Sequence, residues 1–376
     1  MSTKYPFTLI KQEIAKREGK ALDFAVGTTP FSISTTLLKW IRDNSALALV
    51  PAHSAHISEF KAIATEYLHR QYGLEVSPHC ILPAAGGRAA MSVIAACKLS
   101  PGDTVIVTEP GYPAFARIAA QSGVRVVTSH LNPDEGFLPD VEHSSDIDYG
   151  SVAMVAVNYP NNPSGALLSD AVENKLDHMS GDATILFNDA TYGPLVYAQI
   201  PRSLLSTQHA SHRTRQVIEL HSFSKLFPIG PLAVSFIVGS EDLIESIATF
   251  SEYAWSPLSR LHLAATAECL RHDDRIERFR HHIPTQMEAL RSTLEHIGLR
   301  AYPADSGMYI LCQTPSRIAD VPVVSAQSAA KLLMDRFDIA VVPVDTATHS
   351  YLRFSALFRP QDLEKLSALR ASLNLS

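Results

Sequence analysis

Five short segments carry side chains that could do chemistry together. Ser222-Phe-Ser-Lys225 sets a lysine just after the apolar run 217–220, between small hydroxyl residues. Desolvation there lowers an amine's pKa and makes it nucleophilic toward a carbonyl compound. The ordinary alternative is a surface lysine in a turn. Asn188-Asp-Ala-Thr-Tyr192 follows the apolar run 184–187. Asp189 can pair with a protonated ring nitrogen of a cofactor, and Tyr192 can reach a phenolic oxygen on the same ring; capping of the next turn is the bland reading of the aspartate. Asn158-Tyr-Pro-Asn-Asn-Pro-Ser-Gly165 presents asparagines on a loop stiffened by two Asn-flanking prolines and a glycine, or is only a rigid turn. Ala84-Ala-Gly-Gly-Arg88 precedes the helical stretch 89–97, where exposed N–H groups and the helix dipole favour an anion such as a phosphate. A Gly-Gly turn there is otherwise common. Leu352-Arg-Phe-Ser355 places Arg353 on a strand, able to clamp a carboxylate through two parallel hydrogen bonds or to form a surface ion pair.

The elements that must position these groups are short apolar runs alternating with helical patterns. Strands are expected at 104–107, 124–127, 152–157, 184–187, 217–220 and 234–238. Their apolar residues are continuous rather than alternating, which marks strands covered on both faces. Ile57, Phe60, Ile63, Tyr67 and Leu68 make a helical stripe closed by Gly73, and Leu363, Leu366, Leu369 and Leu373 another opened by Pro360. The expected fold is α/β, with helices covering a mostly parallel seven-stranded sheet whose strand ends carry ligand sites. The run 271–280 is charge-rich and reads as the solvated face of a helix. From about residue 285 a long helix, a strand at 308–312, a helix at 326–337, a strand at 339–342 and the final helix make a smaller α+β unit. The expected division is an arm and part of the small domain at 1–48, a large domain at 49–285 and the rest of the small domain at 286–376.

Composition narrows the function. The 376 residues hold 32 basic and 38 acidic side chains, a net charge of −6, so no bulk field draws the chain to nucleic acid or anionic lipid. Cys80, Cys97, Cys269 and Cys312 lack metal-ligand spacing, and no metal site is expected. They read as thiols of a reducing compartment. No stretch is long and apolar enough to span a bilayer, so a cytoplasmic protein is expected.

In order along the chain, these motifs resemble those of the class I/II aminotransferases, a family of fold-type I pyridoxal-phosphate (PLP) enzymes. Asn158–Gly165 is similar to the family's Asn-Pro-x-Asn-Pro-Thr-Gly, Asp189–Tyr192 to its Asp-x-x-Tyr, and Ser222–Lys225 to its Ser-x-Ser-Lys. The resemblance runs from about Ala21 to the C-terminus. It implies that Lys225 carries pyridoxal 5′-phosphate as a Schiff base and moves protons, while Asp189 keeps the ring nitrogen protonated. Asn162 and Tyr192 would bond the ring oxygen, Tyr112 would stack on the ring, and Gly87, Arg88 and Ser222 would hold the phosphate. Arg353 would bind the substrate carboxylate, helped by backbone near Gly27 and by Asn162. It further implies a homodimer acting on an α-amino acid, a small-molecule substrate, with a 2-oxo acid acceptor.

The chain departs from the family pattern in three places. Ala233 stands where a phosphate-gripping arginine is usual, and Arg88 is the expected replacement. The segment 50–56 has no tyrosine but holds His53 and His56, candidates for active-site donors or acid/base groups, or merely solvated. The loop after Val342 lacks a customary glycine. Tyr112, His53, His56, Trp255 and Met308 are candidates to line the side-chain pocket. These changes leave open a PLP-dependent cyclase, lyase or oxidase of biosynthesis. A ligand-sensing regulator lacks a basic DNA-binding segment, and a nicotinamide dehydrogenase lacks its G-x-G-x-x-G spacing.

Overall fold

The structure is a computed structural model that describes residues 6–25, 27, 33–141, 147–206, 216–272 and 274–375. In chain order its strands are β1 (Leu22–Asp23), β2 (Ile81–Ala84), β3 (Thr104–Glu109), β4 (Arg125–Asn132), β5 (Leu138–Pro139), β6 (Val152–Val157), β7 (Ile185–Asp189) and β8 (Gln216–Ser222). There follow β9 (Ser235–Gly239), β10 (Tyr309–Gln313), β11 (Arg317–Ile318), β12 (Val321–Pro322), β13 (Ile339–Ala340), β14 (Val342–Asp345) and β15 (Ser350–Ser355).

The chain divides into two compact units. The larger, drawn from 28–161 and 166–279, is built on one sheet in the order β2-β9-β8-β7-β6-β3-β4-β5. The pairs β4/β3, β3/β6, β6/β7 and β7/β8 are parallel, while β2, β9 and β5 join antiparallel. The parallel strands bury both faces because Val, Ile, Leu, Phe and Ala fill them. One face packs Phe187, Ile218 and Leu220 with Met91, Val93 and Ile94 of the helix Gly87–Lys98. The other packs Val155, Val157, Leu186 and Val217 with Val172 and Leu176 of the helix Asp170–His178.

This is the expected α/β class, with two strands that periodicity did not reveal. One is β2, four residues around a proline. The other is the two-residue β5, which makes the sheet eight-stranded. Three runs also extend beyond their apolar cores. β4 continues through Thr128–Asn132, where one side is only half-buried. β7 runs on through Asn188 and Asp189 because the ladder with β8 continues to Asp189 opposite Leu220. β8 likewise reaches His221 and Ser222, held by β9. The helix expected from Ala89 begins at Gly87, with Gly86 as its cap at φ 96°, a left-handed conformation open to glycine. Gly87 and Arg88 are therefore its first turn.

The smaller unit, from 1–27, 162–165 and 280–376, centres on the antiparallel sheet β10-β15-β14. The expected strand at 339–342 is two: β13 pairs in parallel with β1, and β14 pairs with β15. The final helix also breaks into Pro360–Ala368 and Arg370–Leu373. The charged run 271–280 is not one solvated face. It spans the junction between the helices Arg260–Arg271 and Asp274–His296, and Arg275, Ile276 and Phe279 within it are buried. Among the described residues no helix is long and apolar enough to cross a membrane.

Candidate active site

In the larger unit, consecutive parallel strands deliver their candidate groups at their carboxyl ends, where open α/β sheets bind ligands. Asp189 is the last residue of β7 and is buried. Its Oδ1 accepts hydrogen bonds from Thr191 N (3.2 Å) and Thr191 Oγ1 (2.5 Å). Burial pushes this carboxyl above its usual range, while the Thr191 bonds and the charges of Lys225 and His221 pull it back down. Lys225, half-buried, follows β8 and lies close enough for its charge to act on Asp189. Asn158, just after β6, donates from Nδ2 to the carbonyl of Asp189 at 2.7 Å.

Tyr112, Asn158 and Asp189 line one cavity of about 130 Å³, walled by Val107, Ala156 and Phe187. Tyr112 follows β3 and is half-buried, and Tyr192 is buried. Gly87 meets the end of β8 from the next helix. A Cβ built on Gly87 would lie 3.4 Å from Leu220 Cδ2 and 3.8 Å from Ser222 Oγ. A helix N-terminus and a hydroxyl therefore converge, and Ser224 Oγ is a further 3.3 Å from Ser222 Oγ. Arg88 extends from the same turn and is exposed, whereas Ala233 caps a single turn at Gly230–Leu232 and offers no cation.

A buried carboxylate at a cavity wall, an aromatic lining that cavity, a nearby lysine and an anion-favouring turn are what pyridoxal phosphate requires of a protein. The residues present fit that group.

In the smaller unit, Arg353 sits in mid-strand on β15, opposite Leu311 and Val342. It is 3 % exposed, so it is no surface ion pair. Its guanidinium lies 3.9 Å from the ring centroid of Tyr309, and its Nη1 donates to Asn162 Oδ1 at 3.3 Å. Asn162 is buried. Gly165 accounts for the close approach here. Its φ is +76°, and a Cβ would come within 2.6 Å of Ala304 Cβ. Gly27 is half-buried, with Val26 and 28–32 outside the described residues.

The remaining candidates make structural contacts. The rings of His53 and His56 lie 4.0 Å apart, tilted by 34°, and His53 N donates to His56 Nδ1 at 3.4 Å, so this pair opens the helix Ser54–Tyr72. Partial desolvation, then the charges of Arg260 and His53, lower the His56 pKa. Neither histidine lines the cavity of Tyr112 and Asp189. Trp255 packs against the core of the larger unit, and Met308 is fully buried in the smaller.

Sequence reasoning missed Asn188, Ser203, Glu219 and His221, all buried beside the strand ends. The available signal was a glutamate within the apolar run 217–220, because a buried charge demands partners.

The family model for aminotransferase class I and II matches residues 21–368. The chain belongs to that family and is an aminotransferase. An LL-diaminopimelate aminotransferase of Methanocaldococcus jannaschii is 29% identical over 313 residues, 81% of this chain and 73% of that protein. Transaminase BacF of Bacillus subtilis is 25% identical, over 84% of this chain and 78% of its own length. Among solved structures, substrate-bound BacF superposes with a TM-score of 0.84 at 21% identity, covering 97% and 94% of the two chains. A Thermus thermophilus aspartate aminotransferase double mutant gives 0.83 at 23% identity, covering 99% and 97%. At those identities the superpositions speak for the fold.

Proposed function

We propose that this aminotransferase moves the amino group of an α-amino acid to a 2-oxo acid, using pyridoxal 5′-phosphate held at the ends of β3, β6, β7 and β8. The observation that carries this reading is the buried Asp189 carboxylate, which shares a cavity wall with Tyr112 and feels the charge of Lys225. When bound, the cofactor acts as an electron sink that makes the substrate's Cα–H acidic. Lys225 Nζ would hold the cofactor and would accept the proton from the substrate's Cα. Asp189 would keep the ring nitrogen protonated by charge pairing. Tyr192 and Asn162 would help hold the ring by hydrogen bonding, and Tyr112 would hold it by aromatic contact. Gly87, Arg88 and Ser222 would hold the phosphate, with Arg88 in place of the arginine missing at Ala233. Arg353, with Asn162 and Gly27, orients the substrate carboxylate in bidentate fashion.

A homodimer is part of this proposal. It is supported by Leu49 and Tyr253, about nine-tenths exposed, on segments tied by the bridge Pro51↔Ser259. The cytoplasm is the proposed compartment, consistent with four free cysteines.

The test is a visible absorbance titration of the cofactor-loaded protein with amino acids and no oxo acid. Loss of the lysine-bound cofactor's absorbance, with release of one 2-oxo acid per site, is expected. Repeated turnover without retention of the amino group would overturn transamination in favour of cyclisation, elimination or oxidation.

A further inference from the structure

Behind the strand ends lies a buried polar network that the proposed chemistry does not use. Glu219 is inside β8 with no exposed surface. Its Oε1 accepts from Asn188 Nδ2 (3.0 Å) and Leu204 N (2.9 Å). Its Oε2 accepts from Ser203 Oγ and faces His221 Nε2 at 3.6 Å, an electrostatic contact rather than a hydrogen bond. Asn188 passes the connection on. Its Oδ1 accepts from Tyr159 N at 2.8 Å, and its Nδ2 donates to Tyr159 O at 3.0 Å. The neighbouring residues complete the crossing, since Asn158 donates to the carbonyl of Asp189 at 2.7 Å. His221 is fixed in turn, stacked 5.1 Å from the Phe236 ring and edge-on to Tyr72 at 5.2 Å.

For stability alone this is a poor arrangement. A buried ionic cluster is often matched or exceeded by apolar side chains of the same volume. What the cluster offers is geometry. It ties Tyr159, just after β6, to Asn188 in β7 and Glu219 in β8, and Tyr159 and Asn188 are the chain neighbours of Asn158 and Asp189.

We propose that Glu219 is a positioning residue for Asp189: through Asn188 it locks the ends of β6, β7 and β8 in one arrangement and so fixes where the Asp189 carboxylate points. Glu219 touches neither substrate nor cofactor in this role. The proposal rests on the reading that Asp189 and Lys225 hold pyridoxal phosphate.

The test uses the cofactor-loaded enzyme with three variants. Asn188→Ala cuts the link between Glu219 and Tyr159. It is expected to lower kcat about tenfold or more with KM within about twofold, and to shift the visible absorption maximum of the bound cofactor. Glu219→Ala is expected to do the same. Glu219→Gln keeps an acceptor for Asn188 and Leu204 and a donor for Ser203, so it should restore both kcat and spectrum toward those of the parent. A merely structural role would lower the melting temperature and leave the spectrum and kcat alone. Parent-like spectrum and kcat in a folded Asn188→Ala enzyme would overturn the proposal, even if Glu219→Ala does not fold. The underlying reading fails differently. In that case the parent protein itself shows no visible absorption from a lysine-bound cofactor.

Discussion

The two units hold their candidate groups in opposite ways. In the larger, Asp189, Asn158 and Lys225 stand at the tips of adjacent strands, and side chains cross from tip to tip to bond backbone atoms. In the smaller, Arg353 sits in mid-ladder, where the sheet positions its backbone on both sides. Its head is steadied by one aromatic face and by Asn162. A group that must keep one orientation against a bound ring calls for several directional bonds. A group that must receive a carboxylate is better served by a planar stack, which steadies the guanidinium plane and leaves its edges for a ligand. Under the proposed function the candidate groups of the larger unit serve chemistry and Arg353 of the smaller serves carboxylate capture, and variants in the two should change different kinetic constants.

The largest expected effect is at Lys225. Lys225→Ala removes both covalent anchor and proton acceptor, and kcat should fall at least about a thousandfold. Steady-state turnover in the variant checks this, and near-parent activity would break the assignment. Asp189→Asn comes next. It keeps the shape but removes the charge partner of the ring nitrogen, so Cα–H exchange measured by deuterium incorporation should slow about a hundredfold or more. Exchange at the parent rate would return Asp189 to the role of a turn cap. Arg353→Lys belongs to the other half of the comparison. It loses the fork and the stack on Tyr309 while keeping the charge, and KM should rise about ten- to a hundredfold with a smaller change in kcat. A kcat loss with unchanged KM would erase the distinction between the units.

The sequence made the chemistry-bearing residues legible before their support. Lys225, Asp189 and Arg353 follow or lie within apolar runs, and such runs are visible wherever both faces of a strand are buried. Strand ends were less legible, because Asn188, Asp189, His221 and Ser222 are polar yet remain in the ladder through backbone bonds to the neighbouring strand. The Glu219 network was not legible as a network. Its members are separated along the chain, and only the parallel register of β7 and β8 sets Asn188 opposite Glu219. The histidines of the 50–56 segment show the converse. Their residue type suggested acid/base work, but spacing three apart at a helix start also suits a cap, and in the structure they cap.

The smallest expected effect separates the network from the site by the sign of its pH dependence. Burial alone would raise the Glu219 carboxyl, but His221, Ser203 and Asn188 more than offset it and hold the pKa below the ordinary 4.5. A depressed folded-state pKa contributes stability that is present above 4.5 and is lost as pH falls through the folded value. Asp189 runs the other way. Burial raises it above 3.8, so its contribution is present below that value and is lost as pH rises through the folded one. On acidification between pH 4.5 and pH 3.8 the two therefore oppose each other. Thermal melting of the cofactor-free protein across that window should show a shallower acid-side loss in Glu219→Gln than in the parent, and a steeper one in Asp189→Asn. The differences should be about one to two degrees, since a chain of this length moves little in melting temperature per unit of free energy. Equal slopes in all three proteins would mean that neither carboxyl is held as its surroundings imply, and the contrast between the Glu219 network and the buried Asp189 would lose its electrostatic half.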